Sequence, residues 1–321
     1  MQTKKLLLYL LSFLVLYGCS TSNDSNGNST TTVVPVSPTN LAGTVISTTQ
    51  INLSWTDNST NETGFKIERK TGSGTYAVVG TVNADVLTYN DLGLTPNTTY
   101  TYRIYSYNAA GNSPTYSNEV TLITSTTDID GNIYQLVTIC NQTWMKSNLN
   151  VSHYRNGDII PQVTDATQWA NLTTGAWCYY NNDTANGNVY GKLYNWYAVN
   201  DIRGLAPIGF HIPTDTEWAT LIVDCLGGVN AGDKMKETGS SHWQNPNTGA
   251  TNSSGFTGLP GGYRYIYSGS FSNLGVIGYW WSSSQNVGLD AWKRYLSYNN
   301  SNAIRVNYYK TGGLSVRCIK D

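Results

Sequence analysis

The sequence predicts a multidomain chain, an all-β sandwich followed by a region of short helices, short strands and long loops. Three observations predict this. Residues 36–125 alternate apolar and polar side chains in short runs separated by turn residues. Residues 128–321 change texture to Trp, Tyr, Gly and Asn and carry capped helical patterns. Ser125-Thr126-Thr127 lies between them as a boundary.

The N-terminus reads in three parts. Lys4 and Lys5 precede an apolar run, Leu6 to Leu16, broken only by Ser12, and Leu16-Tyr17-Gly18-Cys19 comes next. A small residue before a cysteine at the end of a short apolar run is a lipoprotein-type cleavage site. The run is short for a membrane span of ~20 residues. Residues 1–18 are therefore read as a signal peptide, and Cys19 as the lipid attachment site. The expected location is the cell envelope, as an outer-membrane lipoprotein whose membrane partner is reached through Cys19. Ser20 after the cysteine gives no inner-membrane Asp signal, and the periplasmic and external faces both remain open. Residues 19–35 are Ser, Thr, Asn, Asp and Gly with almost no apolar content, the composition of a disordered tether. Such a coil reaches roughly 20–25 Å.

Without Lys4 and Lys5 the chain carries 17 basic and 20 acidic residues. That balance supplies no basic field for nucleic acid. Polarity comes instead from Asn, Thr, Ser, Gly and Tyr, a surface common on exported β-rich proteins. Besides Cys19 there are Cys140, Cys178, Cys225 and Cys318, with no CxxC pair and no metal-ligand spacing to His153, His211 or His242. Four unclustered cysteines in an exported chain read as two disulfides. No metal and no cofactor is expected.

In residues 36–125, Ile51, Leu53 and Trp55 alternate with Asn52 and Ser54, Phe65 and Ile67 with Lys66 and Glu68, and Tyr100, Tyr102 and Ile104 with Thr101 and Arg103. Asp57-Asn58, Gly72-Ser73-Gly74, Pro96-Asn97 and Gly111-Asn112 separate the runs. About seven strands in ninety residues is a sandwich. With Pro38-Thr39-Asn40-Leu41, Leu53-Ser54-Trp55, Leu94-Thr95-Pro96-Asn97-Thr98-Thr99-Tyr100 and Asn108-Ala109-Ala110-Gly111, the segment resembles a fibronectin type III domain. The resemblance makes Trp55 the core tryptophan and Tyr100 the corner tyrosine that bonds back to the preceding loop.

Residues 128–321 offer three helices. Asp165 caps 166–171. Leu193, Trp196 and Tyr197 mark a face near 191–199. Thr214-Asp215-Thr216-Glu217 is a capping box for 215–226, where Trp218, Leu221, Ile222, Cys225 and Leu226 share one stripe until Gly227-Gly228. Strands are expected at the Tyr263, Tyr265, Tyr267 alternation and at 279–284, 292–298, 303–309 and 314–319.

Asp130-Gly131-Asn132-Ile133-Tyr134, Tyr190-Gly191-Lys192-Leu193-Tyr194-Asn195-Trp196-Tyr197, Pro207-Ile208-Gly209-Phe210-His211-Ile212-Pro213-Thr214-Asp215, Leu259-Pro260-Gly261-Gly262-Tyr263-Arg264, Tyr279-Trp280-Trp281-Ser282-Ser283-Ser284 and Ser315-Val316-Arg317-Cys318 resemble the Fibrobacter succinogenes major paralogous domain. A more distant likeness, to C-type-lectin-like and formylglycine-generating folds, implies a compact mixed α+β unit. The lectin-like resemblance implies Cys225–Cys318, while the paralogous family implies the preferred pairing, Cys178–Cys318 with Cys140–Cys225. The formylglycine-generating class uses two cysteines with four residues between them. Here Gly313 stands where Cys318 needs its partner, so that copper site is incomplete.

Other constellations are better explained by structure. Asp215 and Glu217 favour a helix N-terminus. Ser240-Ser241-His242 is adjacency without triad geometry. The Asn181–Asn188 run with Asp183 lacks the calcium-loop spacing, and Asn245-Pro246-Asn247 lacks an acidic sugar-site ligand. What remains is aromatic: Tyr263, Tyr265, Tyr267, Tyr295, Tyr298, Tyr308 and Tyr309. The expected function is a non-catalytic binding or adhesion module for a glycan or protein ligand, with the fibronectin-like domain as spacer. Its contacts are expected at Trp243, Tyr263, Tyr265, Tyr267, Asn299 and Asn300. The alternative is an extracytoplasmic enzyme, a hydrolase or a sulfatase-modifying-factor-like protein, with its site in 128–321.

Overall fold

A computed structural model describes residues 33–321. The expected signal peptide, the expected lipid site Cys19 and most of the expected tether lie outside them. No helix of the described residues is long and apolar enough to cross a membrane.

In the first region the alternation becomes two sheets. Thr39–Val45, Gln50–Thr56 and Thr88–Leu92 form one, in that order. Ala77–Asn83, Gly64–Thr71 and Thr99–Asn108 form the other, with Gly111–Asn112 and Val120–Ile123 both on the last strand. Ile51, Leu53, Trp55, Phe65, Ile67, Tyr100, Tyr102 and Ile104 fill the space between the sheets. Tyr100 does turn the corner: the Thr95 N–H donates to its hydroxyl at 3.0 Å. Buried Asp91 ties the sheets together, accepting from Arg69 at 2.8 Å and from the Tyr102 hydroxyl at 2.8 Å. Paired with a cation and hydrogen-bonded as well, this buried charge is tolerated.

The second region is strand-rich with few, short helices. One sheet orders Leu136–Ile139, Gln142–Met145, Ile319–Lys320 and Phe210–His211. A five-stranded sheet orders Phe271–Leu274, Gly261–Arg264, Ile277–Gln285, Asp290–Ser297 and Ile304–Tyr309. Asp165 and Thr214 cap their helices, and Thr214 with Glu217 forms the full box. The 215–226 segment is not uniformly α-helical, however. It is α over Asp215–Ala219 and widens to a π-turn over Thr220–Cys225. The expected helix near 191–199 shrinks to Trp196–Val199, because Leu193–Tyr194 pairs as a strand with Trp177–Cys178 and Asn195 caps the single turn after it. Helices at Thr184–Tyr190 and Ala231–Met235 gave no periodic signal. Of the 314–319 strand only Ile319 lies in a strand, Ile319–Lys320, while Leu314 and Ser315 make isolated bridges to Tyr194 and Trp280.

Two cores flank the five-stranded sheet. On one side Trp144, Trp218, Phe256 and Trp280 pack ring against ring, Trp144 to Trp218 at 4.9 Å. On the other, Tyr279 and Trp281 join Tyr194, Trp196, Leu314 and Val316. Long loops are held by buried cations. Arg264 donates to the carbonyls of Gly269, Val163 and Thr164, and Lys236 to those of Thr248, Ser297 and Asn300.

The four described cysteines are free thiols, and neither expected disulfide is formed in this structure. Cys178 packs with Val163, Trp169 and Leu193, whereas Cys318 belongs to the Tyr194–Val316 core. Cys178 and Cys318 thus belong to separate cores. The Cys225 thiol donates to the Ile139 carbonyl at 4.0 Å, beside the Cys140 thiol.

Candidate functional site

The Asp290–Ser297 strand places successive side chains on opposite faces of its sheet. Arg294 turns to one face and bonds Asp215 at 2.7 Å. Lys293 turns to the other, where its register partners are Trp281 and Val306. Around it stand tyrosines from three neighbouring strands. The Lys293 ammonium is 4.0 Å from the Tyr308 ring, 4.2 Å from Tyr279 and 6.0 Å from Tyr263. These distances are those of cation–π contact. Lys293 is 6% exposed and has no oxygen partner. Burial lowers its pKa to about 7.

The rings continue outward as a chain of edge contacts. Tyr263 meets Tyr279 at 5.2 Å and Tyr265 at 6.3 Å, Tyr265 meets Tyr267 at 5.6 Å, and Tyr267 meets Tyr309 at 6.1 Å. Exposure rises along the chain as far as Tyr267. Tyr279 is buried, Tyr263 and Tyr265 are half-buried, Tyr309 is 42% exposed and Tyr267 is 67% exposed. Exposed Val287 and Leu289 sit on the hairpin beside Tyr309, since the Lys310 N–H donates to the Leu289 carbonyl. The result is an aromatic ramp from the core to the solvent.

The three tyrosines expected at the site are therefore together, but their companions are not. Trp243 is 1% exposed and its indole N–H donates to the Gly258 carbonyl, so it is core and not a ligand contact. Asn300 is spent on the fold: its carbonyl takes Lys236 and its side chain takes the Asn302 N–H. Asn299 is exposed and accepts from Ser297. Both asparagines lie beyond the strand's Ser297 end, whereas Tyr309 pairs with Asp290 at its other end. At ~3.3 Å per residue the two ends are roughly 23 Å apart.

The chain matches the Fibrobacter succinogenes major domain over residues 137–320 and a fibronectin type III domain over residues 36–123. It belongs to the Fibrobacter succinogenes major domain family. Exoglucanase B of Cellulomonas fimi is 24% identical over 208 residues, 62% of this chain and 16% of that protein. Chitinase A1 of Niallia circulans is 36% identical over 96 residues, 29% of this chain and 13% of that protein. The chain thus spans less than a fifth of either relative. Among solved structures, a Fn3-like protein from Clostridium thermocellum is 25% identical, with a TM-score of 0.25, covering 29% of this chain and 97% of that one. The fn3 domain of human contactin 1 is 20% identical, with a TM-score of 0.28, covering 33% and 92%.

The titratable groups of the Fibrobacter succinogenes major domain are dispersed. His153 faces Asp130, His242 faces Glu237 rather than Ser241, and His211 bridges Glu217 at 2.8 Å and Asp321 at 2.7 Å. A cavity of about 320 Å³ holds Asp128, His153 and Arg155 beside Ile129 and Ile208. Its polar groups are already engaged: Arg155 donates to the carbonyls of Ala206, Pro207 and Phe210, and Asp128 takes Tyr134 and Asn132. In the fibronectin type III domain, Asp57, Glu62 and Asp85 bring three carboxylates within 4.8 Å. Burial first, then those neighbouring charges, holds Asp57 above its usual value.

His211 gives a pH-dependent stability. Burial alone lowers its pKa, but Asp321 and Glu217 outweigh burial and leave it raised. Folding then favours the protonated ring. This stabilisation is complete below the unfolded value of about 6.5 and is lost as pH rises through the folded value. The groups are about a third or more exposed, so the effect is about 1 kcal/mol or less. His211→Gln should lower the melting temperature more at about pH 5.5 than at about pH 8.5. An equal loss at both would remove the ion-pair account.

Proposed function

We propose that this protein is a non-catalytic binding or adhesion module that takes a glycan on its tyrosine ramp. In this reading a lipid on Cys19 holds the chain at the outer membrane and the fibronectin type III domain is a spacer. The observation that carries it is the continuous run Tyr263–Tyr265–Tyr267–Tyr309, rooted in the core and open at its end. Flat rings fixed by their neighbours bury sugar faces at little entropy cost. The relatives support the same class, being named for a glucan and for chitin, both polysaccharides. A C-type-lectin-like arrangement of the second region belongs to the reading. The capped helix that carries Glu217 and Trp218, set against the strand Ile277–Gln285, supports it.

The reading is tested on a glycan array with the lipid-free chain. Tyr267→Ala and Tyr309→Ala should each weaken retention by about 1–3 kcal/mol, roughly 5- to 150-fold, as anchors do. Both rings are exposed enough that the melting temperature should stay within a few degrees. Retention that is indifferent to both substitutions would sink the ramp as the site.

A further inference from the structure

Buried cations in this protein share one habit: they meet oxygen. Arg264 and Lys236 each satisfy three carbonyls, Arg317 reaches Met145, Phe256 and Asn148, Arg294 pairs with Asp215, Lys192 reaches Asn150, and Lys310 reaches Gly288. Lys293 is the exception among the described residues. It is 94% buried, yet it meets only the rings of Tyr263, Tyr279 and Tyr308. Ring faces repay part of the cost of burying an ammonium, but they leave its N–H bonds without a protein acceptor. A second polar group in the same cluster shares the condition. The Tyr308 hydroxyl is buried and has no hydrogen-bond partner.

From this pair we infer that the ligand of the tyrosine ramp is an acidic glycan, and that Lys293 with Tyr308 receives its carboxylate. The inference rests on the ramp being a glycan site. A carboxylate offers two acceptor oxygens, and the two unpartnered donors, ammonium and phenol, match them. Such charge-assisted bonds are the strong ones in a site of low dielectric. A neutral sugar would stack on the rings and leave both donors as they are. The other groups facing Lys293 do not compete. Its strand neighbour Arg294 is held by Asp215, Asp290 accepts from Asn307 through one carboxylate oxygen while its other, buried oxygen has no partner, the facing titratable groups of the adjacent strands are Tyr263, Tyr279 and Tyr308, and Tyr295 stacks on Tyr279. No acid lies against the ammonium, so burial alone lowers its pKa to about 7. A bound carboxylate would restore the proton, and acid-selective binding would weaken as pH rises.

The probes are oligogalacturonate and its methyl ester, titrated calorimetrically into the lipid-free chain at about pH 6 and about pH 8.5. The acid should bind about tenfold or more tighter than the ester at the lower pH, with proton uptake as the pH rises. Lys293→Met should bring the ratio of acid to ester affinity close to one, and Tyr267→Ala should weaken both ligands. If Lys293→Met does not fold, the acid-to-ester ratio and proton uptake of the wild type decide the matter. Equal binding of acid and ester overturns the inference and leaves the glycan reading standing. Failure to bind either probe or any neutral glycan overturns both.

Discussion

Arg317→Ala should lower the free energy of unfolding by about 3–5 kcal/mol. Arg317 is fully buried in a chain whose strands depend on their loops. Its guanidinium donates to the Phe256 carbonyl at 2.6 Å, the Met145 carbonyl at 3.1 Å and the Asn148 side chain at 2.8 Å. Removing it takes the guanidinium from the Phe256 and Met145 carbonyls, and each buried acceptor left alone costs about 1–3 kcal/mol. Asn148 also takes the Trp280 indole N–H at 2.8 Å. The loss therefore reaches the Ile277–Gln285 strand, which carries Tyr279 at the root of the ramp. Arg317→Met is the informative partner. It keeps the apolar stem and should be nearly as damaging, because the orphaned carbonyls and not the lost volume dominate. Urea midpoints measure both. A loss below about 1 kcal/mol for either would mean that water replaces the guanidinium.

The fibronectin type III region was legible because its signal is repeated. Each strand alternates, and Trp55, Tyr100 and Tyr102 all fall on the face that fills the space between the sheets. Tyr263, Tyr265 and Tyr267 were legible for the same reason, although the strand itself ends at Arg264 and Tyr267 lies beyond it. Trp243 was not legible as core, since an isolated aromatic between polar residues looks the same whether it caps a loop or fills a cavity. Asn299 and Asn300 came from composition, and composition carries no position. The 215–226 stripe predicted burial correctly at Trp218, Leu221 and Ile222, but not the π-turn that carries the chain to Gly227, because an apolar stripe tolerates a widened turn.

Lys293 was missed, yet a signal was present. Lys293 and Arg294 are consecutive in a strand flanked by apolar residues on both faces, Ala291 and Tyr295 on one and Trp292 and Leu296 on the other. Successive residues point to opposite sides, so a strand buried on both faces must bury one cation on each. Arg294 found Asp215, and no carboxylate in the same stretch was available for Lys293. The informative question for such a strand is what each cation meets, since a buried charge must be paired, neutralised or left for a ligand.

Oxidation should join Cys140 to Cys225 and raise stability by about 4.5 kcal/mol on the chain-entropy model, because the bridge closes a loop of about 85 residues. Cys140 occupies the turn between Leu136–Ile139 and Gln142–Met145, exposed and at φ 53°. Cys225 ends the π-turn of the second region, and its thiol meets both the Cys140 thiol and the Ile139 carbonyl. Burial first, then the Cys140 thiol, pushes the Cys225 pKa up to about 11, so spontaneous attack by Cys225 is slow near neutral pH. Joining two thiols is a two-electron oxidation, so a disulfide oxidant is supplied. With oxidised glutathione the two thiols give up two protons and two electrons, the protein disulfide forms, and two glutathione thiols are released. Cys178 and Cys318 are the internal control. Both are fully buried, with pKa values raised chiefly by burial, and they lie in different cores. Peptide mapping after oxidation should find one bridge and two free thiols. The urea midpoint should rise on oxidation, fall again with reductant, and become insensitive to both in Cys140→Ser. A map joining Cys178 to Cys318, or an oxidised wild type no more stable than Cys140→Ser, would refute this pairing.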